Sequence, residues 1–508
     1  MIYFLTNFKN YIPYIIAAFI GYFFYKYYIY PLYISPLCRI PGPPVERLFF
    51  GNLISFFKND PDIYLARLKE QYGGVVLFRS FFNSPVVVIT DHKLIQHILV
   101  NNTYDYVRAI ADRPEARDML GKSIFVVEGN VHKRQRKIMN PAFSFTNIKG
   151  VFPTVVQIVN KLKDSWMKQI GDKNEGTITV TTMLPKIALD IIGLVGFGYE
   201  FNSTTTESEL ARAYETITSE KQTPSYFMLI IATIFFPFIS KLPFGRNLRF
   251  QKSLKVIKAY SDKIVLERKN KFSQGKLEEQ DLLSILVRIN DELSDGEKLT
   301  HEELKSQVMS FLIAGHETTS TASTWALYLL AKHPDIQNRL REELVEAFPD
   351  RSHQPTFDEI ECLKYLDCVI KEALRVIPPV PSIPRRTTKD ETMNGYFIPK
   401  GTLLIISIYG VHHDSSLWGK NASKFEPSKW LDPEMKSKIT NSIYLPFING
   451  PKNCMGMKFA LMELKVILAI LIRNFAFKEV EGYTFKKRHF GNNKPLPGLD
   501  LIVSKVDN

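Results

Sequence analysis

Between Ser306 and Ala331 a single formally charged residue occurs, Glu317. The stretch is introduced by Thr300-x-x-Glu303, a capping box whose hydroxyl and carboxylate satisfy the first free N–H groups of a helix. Pro334, which cannot continue a helix, closes it. The pattern predicts one helix from Thr300 to about Lys332, about 30 residues and roughly 45 Å long. A bilayer is a poor home for it, because ten Ser, Thr, Gln and His residues interrupt the apolar ones. Such an element must run through the middle of a large helical protein.

The remaining pattern agrees. Helical periodicity and helix start and stop signals dominate. Strand-like runs are few: Val75–Arg79, Val86–Thr90, Gly395–Ile398 and Leu403–Ile408. The expected class is mainly α with small peripheral sheets, an α+β fold. The run Gly193–Gly198 (GLVGFG) lacks the G-x-G-x-x-G spacing of a dinucleotide loop and follows a helix-like pattern, so it is not read as one. A length of 508 residues with 45% hydrophobic content permits a substantial core. Length alone would favour about three domains. However, no Gly/Ser linker, low-complexity tract or repeat interrupts the chain from about Pro41 onward, so one domain, 40–508, is expected behind an N-terminal segment, 1–39.

That segment reads as a membrane anchor. Tyr11–Tyr25 holds only apolar, aromatic and small residues besides Pro13, and the apolar character resumes after Lys26 to Ile34. Counting Lys26 as a snorkelling residue, the span reaches roughly 24 residues, enough for a bilayer. No small-x-small site follows, as a cleaved signal would require. Ile40-Pro41-Gly42-Pro43-Pro44 comes next and predicts a stiff extended joint. The net charge of +13 fits an anionic membrane face or an acidic partner. Nucleic acid is a poor partner, for no basic tract is interleaved with aromatics. Four cysteines make no disulfide framework and point to a reducing compartment.

One of those cysteines stands apart. Phe447-Ile-Asn-Gly450-Pro-Lys452-Asn-Cys454-Met-Gly456 precedes a helix-forming run, Met457–Arg473. Gly450 and Gly456 permit tight curvature and close approach of a flat ligand. Just before a helix N-terminus, the dipole and free N–H groups stabilise a thiolate prepared to bind metal. A lone cysteine is ordinarily a small buried hydrophobe, so the weight rests on the whole pattern.

That pattern, F-x-x-G-x-x-x-C-x-G, resembles the haem-binding loop of the cytochrome P450 family, and four further landmarks stand in the family's order. Ala314-Gly315-His316-Glu317-Thr318-Thr319 resembles its oxygen-binding motif. Lys371-Glu372-Ala373-Leu374-Arg375 supplies its E-x-x-R. Phe425-Glu426-Pro427-Ser428-Lys429-Trp430 resembles the meander motif that normally ends Arg-Phe, and His132–Arg136 matches the helix that usually carries W-x-x-x-R. The resemblance covers the chain from Pro41 onward. Three positions depart from it: His132 for tryptophan, Lys452 for the loop arginine and Lys429 for the meander arginine. A lysine is a point charge rather than a bidentate fork, which predicts looser anchoring of haem propionates.

The resemblance implies a P450 fold with the long helix lying over haem b and Cys454 as the axial iron ligand. It implies Glu317 and Thr318 as an acid–alcohol pair for proton delivery, and His132, Arg136, Arg385 and Lys452 as cofactor-binding residues. Glu372 and Arg375 can pair at i,i+3. Spacing alone puts them opposite the Leu366, Ile370, Leu374, Ile377 stripe, as an exposed pair would be; the resemblance implies a buried structural pair closed by Lys429. It also implies that the apolar run Tyr226–Phe244 covers a substrate channel and dips into a membrane. Pocket residues expected from Arg108–Val127, Ile313, Val380 and Ile383 are mostly apolar. Lys133, Arg134 and Lys137 read as a solvated basic face able to dock an acidic redox partner.

The expected activity is insertion of one oxygen atom of O2 into a lipophilic substrate: a lipid, sterol, terpenoid or xenobiotic. No flavin or nicotinamide domain fits in the remaining length. Electrons are expected from a separate NADPH-dependent flavoprotein reductase, with cytochrome b5 as a second candidate, at the endoplasmic reticulum with the catalytic domain cytoplasmic. Two rivals are a haem-thiolate isomerase or dehydratase acting on lipid hydroperoxides, and a non-catalytic membrane haem sensor. The Glu317–Thr318 pair counts against both.

Overall fold

The structure is a computed structural model that describes all residues except Met1, 204–207, 219–232, 234–237, 240–241, 243–244, 277–279, 488–491 and 507–508. It divides into two compact units, residues 1–107 with 382–414, and residues 108–381 with 415–508.

The first unit opens with helix α1 (Ile2–Phe24), which continues as wider π-type turns over Tyr25–Ile34. The stretch from Tyr11 to Arg39 is long and apolar enough to cross a membrane, and its side chains are largely exposed, Tyr14 at 74% and Phe19 at 69%. The proline joint lies against a strand: Leu77 N–H donates to Pro41 O at 2.8 Å. Only glycine fits at position 42, where a Cβ would come within 2.0 Å of Leu77 O. Helix α2 (Pro61–Tyr72) starts on the Asp60 side chain, which accepts from the Asp62 and Ile63 amides. A five-stranded sheet follows in the spatial order Val75–Arg79, Pro85–Ile89, Leu403–Ser407, Ser382–Thr387 and Tyr106–Arg108. Pro85–Ile89 pairs parallel with Leu403–Ser407, whereas Val75–Arg79 runs antiparallel to Pro85–Ile89 and Ser382–Thr387 antiparallel to Leu403–Ser407.

The second unit is helical. Its main elements are α3 (Gly129–Met139), α4 (Phe145–Ile170), α5 (Val180–Phe197), α6 (Gly245–Ser273), α7 (His301–Lys332), α8 (Pro334–Ala347), α9 (Lys364–Val376) and α10 (Met457–Asn474). A small antiparallel sheet sets Asp500–Lys505 between Glu175–Thr179 and Phe475–Glu479. Helix α7 is the long helix predicted from sequence, with the Thr300–Glu303 capping box formed. It packs against α5, α6, α8, α9 and α10. Val308, Leu312, Trp325 and Leu327 are almost fully buried along it. The unit is therefore built around α7, and whatever chemistry α7 carries sits in the protein interior.

The Gly193–Gly198 run forms the end of α5, as its helix-like pattern implies. Gly198 caps the helix in the left-handed region at φ 58°. A Cβ there would lie 1.9 Å from Arg268 Nη2, and that guanidinium is buried beside Asp281 at 3.3 Å. Gly198→Ala should therefore destabilise the protein by about 2 kcal/mol or more, combining left-handed strain with displacement of a buried ion pair. Chemical denaturation would check this, and a loss below about 0.5 kcal/mol would refute it.

Candidate active site

Every residue of α7 from Ser306 to Leu327 is buried except Phe311, Ile313, Ala314, Gly315 and Thr318. These positions form a half-open patch at the centre of an otherwise buried helix. A Cβ at Gly315 would meet Ile192 Cγ1 of α5 at 2.9 Å, so this glycine serves the close packing of α5 on α7. Thr318 Oγ1 donates to Ala314 O at 2.7 Å, the back-bond open to a hydroxyl four residues along a helix.

Glu317 is buried, not the solvated acid that its charge alone would predict. Lys494 Nζ lies 2.5 Å from Oε2 and His316 Nε2 3.4 Å from Oε1. Burial pushes the carboxyl pKa up, but His316 and Lys494 outweigh it and hold the group well below the usual carboxylate range.

Cys454 stands at the head of α10, in the loop that the sequence singled out. Its amide donates to Phe447 O at 2.9 Å, and the loop turns through left-handed Ile448 (φ 61°) and Gly450 (φ 75°). Arg136 on α3 braces the loop, donating to Asn453 O and Oδ1 at 2.6 Å each. The cysteine is exposed, yet the surrounding protein desolvates its thiol and pushes the pKa up, against the Gly456 N–H and the Arg136 charge. Without a metal, burial thus wins over the helix terminus that was expected to stabilise the thiolate; a bound cation would reverse that balance.

Near this loop the structure gathers positive charge around one imidazole. His132 is fully buried on α3. Burial, Arg108, Lys452 and Arg136 in that order drive its pKa down to about 3, so the ring is neutral at physiological pH. Lys452, itself buried, pairs with Glu128, and Arg108 lies 3.8 Å from the same carboxylate. Cations around a neutral donor suit a ligand bearing carboxylates, and a thiol backed by an N–H suits a metal. Haem b fits both. Arg385 belongs to the first unit, buried in the strand Ser382–Thr387, where Nη1 donates to Pro384 O at 2.9 Å.

Glu372 and Arg375 on α9 have fully buried side chains, not the exposed pair that helical spacing permits. Arg375 Nη2 and Nε donate to Glu372 Oε1 and Oε2, both at 2.8 Å. Glu372 also accepts from the Glu426 amide at 3.0 Å and Trp430 Nε1 at 2.9 Å, with Lys429 Nζ at 3.3 Å. Arg375 reaches the Ala422 and Lys424 carbonyls at 2.5 and 2.9 Å. One ion pair thereby ties α9 to the segment Ala422–Trp430.

The basic face expected on α3 is smaller than its sequence implies. Arg134 pairs with Glu303 and donates to Lys298 O at 2.5 Å, so it fastens α3 to the start of α7; Lys133 and Lys137 remain exposed. The Tyr226–Phe244 run lies outside the described residues save for Thr233, Phe238, Ile239 and Leu242. Sequence reasoning missed Glu128, Asn453 and Lys494. Asn453 adjoins Cys454 and was there to be read, whereas nothing local marks the other two as partners of Lys452 and Glu317.

Comparison with known proteins agrees with this geometry. The family model described as Cytochrome P450 matches residues 41–496. The chain is 32% identical over 479 residues to "Cytochrome P450 monooxygenase 128" of Postia placenta, covering 87% of this chain and 86% of that one. It is 33% identical to "Cytochrome P450 monooxygenase claP" of Ampulloclitocybe clavipes over 86% of this chain and 85% of the relative. It is 32% identical to "Cytochrome P450 monooxygenase sphH" of Aspergillus fumigatus, over 87% and 83%. Haem b with an axial thiolate is the cofactor of that family. By its loop, its core helix and these relatives, the chain belongs to the cytochrome P450 family and is an oxidoreductase of the monooxygenase type.

Proposed function

We propose that the protein is a membrane-anchored monooxygenase inserting one oxygen atom of O2 into a lipophilic substrate, with electrons from a separate NADPH-dependent flavoprotein reductase and cytochrome b5 as a second donor. The observation that carries this reading is the half-open patch at the centre of α7, which holds Thr318 beside the buried acid Glu317. When bound, haem supplies oxygen activation, assisted by electron donation from the thiolate of Cys454. Lys452 and His132 would hold its propionates, and Arg136 keeps the cysteine loop in place. Thr318 and Glu317 bring protons to the reacting oxygen, Thr318 at the half-open patch and Glu317 from the solvent side. The exposed apolar stretch from Tyr11 to Arg39 supports a single-pass anchor, set at the endoplasmic reticulum with the catalytic domain on the cytoplasmic side.

Thr318→Ala should keep haem and the spectrum of a thiolate-ligated carbon monoxide complex. Product formed per NADPH should fall by about tenfold or more, the difference leaving as peroxide or water. Coupling equal to the unmutated protein would refute the proton role. Turnover of a lipid hydroperoxide without NADPH would favour an isomerase instead. Haem band shifts across a lipophilic library would identify the substrate class.

A further inference from the structure

Two of the groups at Glu317 come from outside its helix. Lys494 Nζ sits 2.5 Å from Oε2, and Asn492 Nδ2 lies 3.5 Å from the same oxygen. Both belong to the segment just before the last strand, and that segment is fastened at its centre. Trp325 Nε1, about two turns beyond Glu317 on α7, donates to Asn493 O. The Asn493 amide donates to Pro379 O at 2.8 Å. Trp325 and Asn493 are each 1% exposed. The lysine is thus held over the acid by the helix that carries the acid.

The remaining neighbours do not share its task. His316 Nδ1 lies 2.6 Å from Leu312 O. A carbonyl only accepts, so Nδ1 donates there, and the other ring nitrogen, Nε2, faces Glu317 Oε1 at 3.4 Å. Tyr214, from the helix Glu209–Thr218, faces His316 with ring centroids 6.0 Å apart. It is kept neutral by burial. From α5 the apolar Ile192 packs on Gly315, two residues before Glu317. Among the described residues, Lys494 is the one permanently cationic side chain in ion-pair reach of Glu317. At 21% exposure it also touches solvent, while Glu317 at 7% scarcely does.

We propose that Lys494 gates proton delivery: it holds Glu317 as a carboxylate turned to the C-terminal segment, and their ion pair must open before Glu317 can carry a proton to Thr318. This rests on the relay reading of Glu317 and Thr318 given above. An ionised carboxylate can only accept hydrogen bonds, and an acid held far below ambient pH gives up few protons. With the pair open, Glu317 takes one proton from solvent and becomes a neutral acid. It passes that proton to Thr318 Oγ1 as the hydroxyl releases its own toward the reacting oxygen. Glu317 returns to a carboxylate and the pair re-forms, with no net change in either residue. Lys494 acts through Glu317 and is a positioning residue.

The test uses the full-length holoprotein with an NADPH-dependent flavoprotein reductase and no added substrate. NADPH oxidation and peroxide release are followed across pH in H2O and D2O, after the carbon monoxide spectrum has shown that each variant retains haem. Without Lys494, burial should raise the Glu317 pKa. In Lys494→Met the falling limb of the rate profile should therefore move to higher pH by at least about one unit, tenfold in the protonation equilibrium, and the solvent isotope effect should shrink. Lys494→Arg should restore the original profile, and Lys494→Gln replaces the methionine variant if that one does not fold. Glu317→Gln separates the two readings. If it changes the profile while Lys494→Met does not, the gate is refuted and the relay stands. If Glu317→Gln changes nothing, the relay fails and the gate falls with it.

Discussion

Cys454→Ser should leave a folded protein whose reduced carbon monoxide complex lacks the Soret peak diagnostic of thiolate coordination, with monooxygenase activity lowered by at least about a thousandfold, some 4 kcal/mol in the barrier. Serine keeps the shape of the side chain and leaves the loop's fastenings untouched: the Phe447 carbonyl, the Arg136 fork on Asn453 and the left-handed turns all involve other atoms. Because the residue is exposed, little packing is lost, and the apoprotein should change in stability by less than about 1 kcal/mol. What disappears is a polarisable anion able to donate electron density to iron. The spectral and stability measurements together distinguish loss of a ligand from loss of the fold. A thiolate-type peak persisting in the serine variant would remove Cys454 from its assigned role.

The residues differ in how openly they announce these roles, and the difference follows interaction range. Helix α7 was legible because everything that makes it is local: the capping box, the scarcity of charge, the terminating proline. The four strands read from the sequence all occur within a residue or two of their expected ends. Their side chains suit a sheet without help from elsewhere. Ser382–Thr387 was missed because Pro384 and two arginines obscure its alternation. Ile383, Arg385 and Thr387 are nevertheless buried in strict period two, a pattern set by the strand Leu403–Ser407 beside it. Tertiary context decided the site in the same way. Helical spacing allowed the Glu372–Arg375 pair to face solvent, and it is the segment Ala422–Trp430, far along the chain, together with Trp418, that covers it. Lys494 was invisible for the strongest version of that reason. It gains meaning from a carboxylate on a distant helix, and a lysine between two asparagines and a proline carries no local sign of it.

Breaking the Glu372–Arg375 pair from the acid side should be among the most destabilising single changes in the chain. Glu372→Ala strands a fully buried guanidinium and removes the acceptor used by Trp430 Nε1 and the Glu426 amide, so a loss of about 3–5 kcal/mol is expected. Glu372→Gln should cost nearly as much, because it preserves shape while removing the charge that compensates Arg375. Lys429→Ala should cost less, about 1 kcal/mol, since the carboxylate keeps its other partners. Burial alone would raise the Glu372 pKa, but the bonds and charge of Arg375, with Lys429 behind them, pull it below the ordinary value. A carboxyl depressed in the folded state contributes stability that is complete above the unfolded pKa, about 4.3. That contribution is lost as pH falls through the folded value. Resistance of the unmutated protein to denaturation should therefore fall with acidification below that region, and Glu372→Gln should flatten the corresponding part of the curve. Haem content measured beside stability separates a scaffold from a chemical role: at temperatures where the variants stay folded, they should still give a thiolate-type carbon monoxide spectrum. A glutamine variant as stable as the unmutated protein would show that shape, not charge, joins α9 to the segment that covers it.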